Sequence, residues 1–599
     1  MSTRSSISSF PSRTPSSNGF SAEPSCSSPV HKSAEEVHSQ LRPSTRFAFA
    51  NLVTTVIRLD FWNDFDPHSI FFCKIAFEGV MNCMGLPEKT IKSLKTQLEG
   101  EHEGTDIAVL ITTIKEDPAI QENGTICLLE ALLLAFVASA DYDSRYRVLL
   151  RHMATLLGIS WDDFEELEEN LATSILEEQF VESEYARKAR EKTQRNKKIK
   201  RYLMIGAAGG VGGVLIGLTG GLAAPLIAAG AGVLGVGSGA VAAIASTAGA
   251  AVLGTTFGVT GAGLSGYKMK KRVGAIEEFS IGTLSQGTGL HCALAVSGWI
   301  DPHASHEEAF VQPWRHLNCA KEQYTLKYES RYLEELGKAL DYLMSFAVTA
   351  AVQQALMETA LHSLLTAVAW PVAILGCASV LDNPWNVCIS RSAEVGEQLA
   401  EILLTRQHGK RPITLIGFSL GARVIYHCLL TMSKRAECVG IVEDVILLGA
   451  PVTASSKQWA TMASVVGGRI INGYCETDWL LRFVYRTMSA QISVAGTSPI
   501  GTKHTKKIYN YNLTHIVKGH LDYSQKLTEV LSAVGIRVEP HSPESCQNIS
   551  DLVAEATEAK EASPAQEIND NKVIFKAGED FVDPLAQEIS EVHVVDKSP

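Results

Sequence analysis

Ser419 stands in Gly417-Phe-Ser-Leu-Gly421, a G-x-S-x-G arrangement that could carry nucleophilic acyl transfer. At ordinary glycine and serine usage a chain of this length holds roughly 0.2 such matches by chance, so context decides. Ile413–Ile416 reads as an apolar strand entered from the turn Gly409-Lys-Arg-Pro412, and Ala422–Met432 reads as a helix. Strand, sharp turn and helix are what a nucleophile elbow requires. Gly417 and Gly421 then have a steric task, because side chains there would collide with the neighbouring strand and helix. The serine hydroxyl would stand at a helix N-terminus, where the dipole favours an anionic intermediate.

A serine hydroxyl at neutral pH needs a base, and the base needs an orienting acid. In this arrangement the chain order is serine, acid, histidine. His427 lies two turns into the elbow helix, too near in sequence to swing back to Ser419. His504, His515 and His520 follow the serine, and His520 is favoured. It comes after the last strand candidate, in Lys518-Gly-His-Leu-Asp-Tyr523, with a glycine before it to let the chain turn. Asp478 is the favoured acid, just past the apolar run Arg469–Gly473, at the strand end where such sheets place their chemistry. Glu476 is its rival, whereas Asp444 sits at the wrong end of its strand. Asp478 could also cap a helix beginning at Trp479. The oxyanion hole is expected from the backbone N–H of Leu420 and from that of Trp299 or Ile300, in Ser297-Gly-Trp-Ile300. Trp299 could equally be plain packing.

Seven short β-branched runs alternate with helices from residue 268 to 540, the pattern of a parallel sheet with crossovers. They are Ile276–Ile281, His291–Val296, Tyr324–Tyr328, Ile413–Ile416, Val445–Leu448, Arg469–Gly473 and Ile508–Leu513. The expected fold is an α/β-hydrolase, mostly parallel with helices on both faces, carrying an apolar helical insertion at 340–381. An all-α domain at 46–176 precedes it. There Ile126 to Phe136 and Tyr146 to Leu157 have helical spacing, Gly158 ends one helix, and Ser160-Trp-Asp-Asp163 opens the next as a capping box.

Between these parts the sequence changes character. Residues 177–201 read as a charged helix that turns basic, with nine Lys/Arg from Arg187 to Arg201. From Tyr202 to Tyr267 there follow 66 residues without one Asp, Glu, Lys or Arg, where a bilayer crossing needs only about 20. Glycine and alanine recur at close-packing spacing. Basic residues flank both sides, so an even number of crossings with cytosolic flanks is expected. The reading is a hairpin, roughly 203–222 and 227–252.

The termini differ again. Residues 1–45 are Ser/Pro-rich and too poor in apolar side chains to order themselves, and no secretory signal is read there. Residues 541–599 hold thirteen acidic residues against four lysines, which supplies most of the formal net charge of −12. No basic groove with interleaved aromatics exists, so nucleic acid is not an expected partner. Twelve scattered cysteines without a C-x-x-C pair argue against a disulfide scaffold and against a zinc site, and no cofactor or metal is expected.

Asp382-Asn-Pro-Trp-Asn-Val-Cys388, the Gly417–Arg423 run, Leu447-Leu-Gly-Ala-Pro451, Ile470-Ile-Asn-Gly-Tyr474, Asp478-Trp-Leu-Leu481 and Gly519-His-Leu-Asp-Tyr523 resemble the transmembrane and coiled-coil domain-containing protein 4 family over roughly residues 46–538. The resemblance implies a multi-pass membrane protein with an α/β-hydrolase domain, and its triad falls on Ser419, Asp478 and His520. The leading expectation is a membrane-bound serine hydrolase cleaving a carboxylic ester of a lipid. The alternative is a non-catalytic membrane trafficking adaptor that keeps the hydrolase scaffold.

Overall fold

The computed structural model describes residues 39–63, 66–100, 106–137, 141–179, 264, 276–305, 307–355, 362–482, 493–503 and 505–539. The glycine-rich hairpin (apart from Leu264), the basic part of the charged helix, His504 and residues 1–38 and 540–599 lie outside the described residues. The segment predicted as unordered to residue 45 gives way to helix from Pro43, and Leu41 and Thr45 are buried. Among the described residues no helix is long and apolar enough to cross a membrane.

The N-terminal region is all helical: α1 (Pro43–Phe61), α2 (Pro67–Met84), α3 (Glu88–Leu98), α4 (Ile107–Lys115), α5 (Pro118–Asn123), α6 (Ile126–Val137), α7 (Ser144–Leu157) and α8 (Trp161–Gln179). Its core joins Phe49, Leu52 and Val53 of α1 to Leu128, Leu132 and Leu133 of α6 and Leu149 and Met153 of α7, all buried. Local signals start and stop these helices as the sequence predicts. Gly158 ends α7 in the left-handed region at φ 79°. Ser160 opens α8, its Oγ accepting the Asp163 N–H at 3.1 Å.

Among the described residues seven strands form one sheet: β1 (Phe279–Ser285), β2 (Cys292–Val296), β3 (Glu322–Tyr328), β4 (Ile413–Phe418), β5 (Val442–Leu448), β6 (Ile470–Tyr474) and β7 (Ile508–Asn512). Their order is β1-β3-β2-β4-β5-β6-β7. Only β1 runs antiparallel, against β3, and every other pairing is parallel. The inner strands β2, β4, β5 and β6 are buried at every position, as both-face coverage by helices requires. Two strand starts differ from expectation by three residues. The first strand begins at Phe279, because the Glu277 and Glu278 amides are taken by the Glu329 carboxylate instead of a neighbouring strand. The fifth begins three residues early, at Val442, and so absorbs Glu443 and Asp444.

Helices α9 (Ser330–Ala355) and α10 (His362–Leu404) fill the long crossover between β3 and β4. The predicted apolar insertion at 340–381 takes in the end of α9 and the start of α10, while residues 356–361 lie outside the described residues. After β4 comes α11 (Leu420–Met432). Further on, α12 (Ser456–Ala463) links β5 to β6, and α13 (Leu527–Ala533) follows β7.

The helical region is joined to the start of β5 by a buried ion network. Arg147 of α7 donates to Glu168 of α8 and to Glu443 of β5, at 2.8 and 2.7 Å. One turn on, Arg151 reaches Glu443 and Asp444, each at 2.9 Å. Burial would lift the Asp444 carboxyl, but Arg151 and Arg469 outweigh it and hold it at about 2. His291 also lies 3.3 Å from Glu443, yet that contact is no ion pair. Burial, and then Arg147, Arg151 and Arg411, drive the imidazole well below its usual range, so it stays neutral and bonds Thr414 at 2.9 Å.

His408 and His427 are held in the neutral form as His291 is. Burial, then the Arg406 and Arg411 charges, keeps His408 well below its usual range, and burial followed by Arg423 and Lys434 brings His427 to about 4. Each folded pKa lies below the unfolded value of about 6.5. The unfolded chain therefore takes up protons first as pH falls, and stability present above pH 6.5 is lost on the way down. Thermal melting should drop steadily from pH 6.5 to 4.5, by up to about 1.4 kcal/mol per pH unit for each histidine. A melting temperature flat across that interval would contradict these neutral assignments.

Candidate functional site

Ser419 occupies the sharp turn between β4 and α11, with φ 51° and ψ −123°. A non-glycine residue there carries strain of about 1–3 kcal/mol, which persists only where the surroundings over-determine it. They do so here. The Ser419 N–H donates to the Leu448 carbonyl at 2.8 Å. A Cβ at Gly417 would stand 2.7 Å from the Gly421 carbonyl carbon. One at Gly421 would stand 2.0 Å from the Val296 carbonyl oxygen. Both elbow glycines are thus required by contact: the first lets the helix pack back on β4, the second lets it pack on the end of β2.

The serine hydroxyl meets His520 Nε2 at 2.7 Å, and His520 Nδ1 meets Asp478 Oδ2 at 2.7 Å. With the imidazole proton on Nδ1, the histidine donates to Asp478 and accepts from Ser419, the tautomer a general base needs. Relative exposures of Ser419, Asp478 and His520 are 0%, 0% and 1%, so bulk water is excluded. The other oxygen of Asp478, Oδ1, accepts the Leu481 N–H at 2.9 Å, so this residue both orients the imidazole and opens a helical turn. His520 follows β7 in a turn fastened by Asp522, whose Oδ2 accepts the Lys518 N–H at 2.9 Å. Gly519 does not explain that turn: it is not in the left-handed region, and a Cβ there would meet nothing within 4 Å.

The rival residues lie elsewhere. Glu476 is exposed and accepts from Asn512. Asp444 belongs to the ion network at the opposite end of the sheet. His515 is exposed, and His427 packs against Tyr426 with ring centroids 5.5 Å apart.

Leu420 is the first residue of α11, where helical N–H groups have no acceptor within the helix. Across from it runs Ser297-Gly-Trp-Ile300. A Cβ at Gly298 would lie 2.5 Å from the Phe418 carbonyl oxygen and from Ser419 Cβ, so this loop touches the elbow itself. The Trp299 ring packs edge-on against Phe418 at 4.9 Å and tilts over His520 at 5.4 Å. Ile300 is buried, its carbonyl oxygen pressed against Gly337.

Two further aromatic rings surround the histidine. Trp385 of α10 and Tyr523 lie edge-on to the His520 ring at 6.1 and 5.9 Å, both fully buried. Trp385 belongs to the Asp382–Cys388 run, and nothing local marks it as a neighbour of a residue so far along the chain. Trp385 Nε1 and Tyr523 Oη have no hydrogen-bond partner among the described residues. A cavity of about 230 Å³ beside Trp314, Arg315, Lys321 and Gln323 is lined by none of the triad residues.

Such an arrangement can activate a serine hydroxyl for attack on a carbonyl. Residues 197–537 match the family described as "Protein of unknown function (DUF726)". An uncharacterized membrane protein of Caenorhabditis elegans is 64% identical over 98% of this chain and 94% of its own length. "Transmembrane and coiled-coil domain-containing protein STS1" of Oryza sativa subsp. japonica is 36% identical over 65% of this chain and 60% of its own length. "Probable lipase MIL1" of Saccharomyces cerevisiae is 33% identical over 68% of this chain but 38% of its own length. No solved structure matches the chain.

Proposed function

The chain belongs to the DUF726 family, and from that premise we propose that it is a membrane-bound serine hydrolase of α/β-hydrolase fold, cleaving a carboxylic ester of a lipid. One observation carries this reading: Ser419, His520 and Asp478 form a continuous buried chain of hydrogen bonds, 2.7 Å at each link, on a strained turn. A scaffold without catalysis has no physical need to hold a serine at φ 51° against an imidazole. The similarity to a protein named a probable lipase supports an ester substrate. The relatives named as membrane proteins, and the uncharged run from Tyr202 to Tyr267, support a hairpin that holds the enzyme beside its lipid. Within the family we place the chain among the transmembrane and coiled-coil domain-containing protein 4 relatives, with both termini and the hydrolase domain cytosolic.

In the proposed reaction His520 takes the proton of Ser419 as the serine oxygen attacks the ester carbonyl. Leu420 N–H and the N–H of Trp299 or Ile300 hold the oxyanion. His520 then delivers its proton to the departing alcohol, and water, deprotonated by His520 in turn, releases the fatty acid. Asp478 keeps the imidazole in its tautomer throughout.

The test is fatty-acid release by the full-length protein in vesicles containing phospholipid and acylglycerol. Release that falls by about three orders of magnitude or more in His520→Ala is expected. Equal release by the variant and the wild type would sink the assignment. No release by folded, membrane-inserted wild type from any ester tested would favour the adaptor.

A further inference from the structure

Gly298 is the one position in the oxyanion loop with broad backbone freedom, and it lies against the elbow. Left alone, it would let the amides on either side of it turn. Both flanks are pinned. On the downstream side the Trp299 ring is wedged against Phe418 and His520. On the upstream side Ser297, fully buried, is held twice. Its Oγ accepts the indole N–H of Trp314 at 2.9 Å, and its carbonyl oxygen accepts the hydroxyl of Tyr328 at 2.8 Å.

The second bond acts on direction. The Ser297 carbonyl and the Gly298 N–H belong to one planar peptide unit, so fixing the carbonyl fixes the plane in which the chain reaches Gly298. Tyr328 is the last residue of β3, and Trp314 ends a single 3₁₀ turn, Gln312–Trp314. The chain just before that turn is itself tied to β3, where Thr325 Oγ1 donates to the carbonyl of Phe310 at 3.1 Å. Burial, with lesser contributions from Cys388 and Glu329, lifts the Tyr328 phenol well above its usual value, so it remains a hydrogen-bond donor at neutral pH. Neither residue contacts Ser419 or His520 by any hydrogen bond among the described residues.

Building on the serine-hydrolase reading above, we propose that Tyr328 and Trp314 are positioning residues, which act through Ser297 to hold the loop amides where the oxyanion forms. Losing a direct oxyanion donor costs about 10²–10³ in kcat. Loosening its support costs less, about 10-fold, in the range seen for residues that orient ligands from behind.

Tyr328→Phe removes the hydroxyl and keeps the ring. In full-length protein in native membranes, fluorophosphonate labelling of Ser419 should slow about 10-fold. With a p-nitrophenyl ester, kcat should fall by the same factor at unchanged KM, because the lost interaction is made in the transition state. Trp314→Phe, which keeps an aromatic ring but lacks the indole N–H, is the second variant and should show the same split. Wild-type protein that labels, beside folded variants labelling at the wild-type rate, would overturn the inference and leave the hydrolase reading standing. So would a lowered melting temperature with kcat per labelled site unchanged, since that marks a structural role only. Wild-type protein that never labels would overturn both.

Discussion

Ser419→Ala should abolish fluorophosphonate labelling of the full-length protein and lower ester turnover by about six orders of magnitude, the scale on which loss of a triad serine acts. The reason lies in how the three residues work. His520 activates nothing unless a hydroxyl stands at its Nε2, and the bond that places it there is the 2.7 Å contact to Ser419. Removing the histidine as well should therefore cost almost nothing more, so Ser419→Ala/His520→Ala should match either single variant. Asp478→Asn should be milder, at about four orders of magnitude, because it leaves the nucleophile and base in place but favours the wrong tautomer. Backbone strain gives an independent check. Alanine inherits the φ of 51° and glycine does not suffer from it, so Ser419→Gly should unfold later than Ser419→Ala although both are inactive. Labelling or hydrolysis that survives in Ser419→Ala would refute the nucleophile.

The elbow could be read in advance because its rules are local. Gly417 and Gly421 are spaced so that two backbones can approach, and those contacts are the ones the folded chain makes, at the start of α11 and the end of β2. The strands were readable for a similar reason, since inner parallel strands are short unbroken apolar runs. Local pattern carries no sign of a charge that is balanced from far away. Glu443 and Asp444 look like a loop before a strand, yet they lie inside β5 because Arg147 and Arg151, almost 300 residues earlier, neutralise them. The aromatic surroundings of His520 were hidden in the same way. Trp299 follows β2, Trp385 lies between β3 and β4, and Tyr523 follows β7, so only the sheet brings their rings together. The spacing that picked out His520 rested on Gly519, whereas the turn is fastened by Asp522, whose carboxylate reaches back to the Lys518 amide.

Arg147→Ala should destabilise the protein by about 3–5 kcal/mol, the cost of breaking a buried ion network by removing one member. The side chain of Arg147 is 2% exposed and those of Glu168 and Glu443 are 5% and 0% exposed. Without the guanidinium, two buried carboxylates would lose the cation they share, leaving Arg151 as the arginine beside Glu443 among the described residues. Burial disfavours charge on Arg147, but Glu168 and Glu443 more than reverse that and hold it charged. A control comes from Arg435 and Glu401, at 3.1 Å but about half exposed on each side, where Arg435→Ala should change stability by less than about 1 kcal/mol. Urea or thermal unfolding of both variants measures the difference. The location of the network makes the result informative about architecture. Arg147 and Glu168 lie before residue 197, where the family match begins, and Glu443 lies in the sheet that carries Ser419. A large, single cooperative loss would mean that the helical region and the sheet fold as one unit, so that hydrolase activity requires residues well ahead of the matched segment. Two separate transitions, with only the first moved by Arg147→Ala, would mean that the helices are a detachable neighbour and that the sheet can work without them.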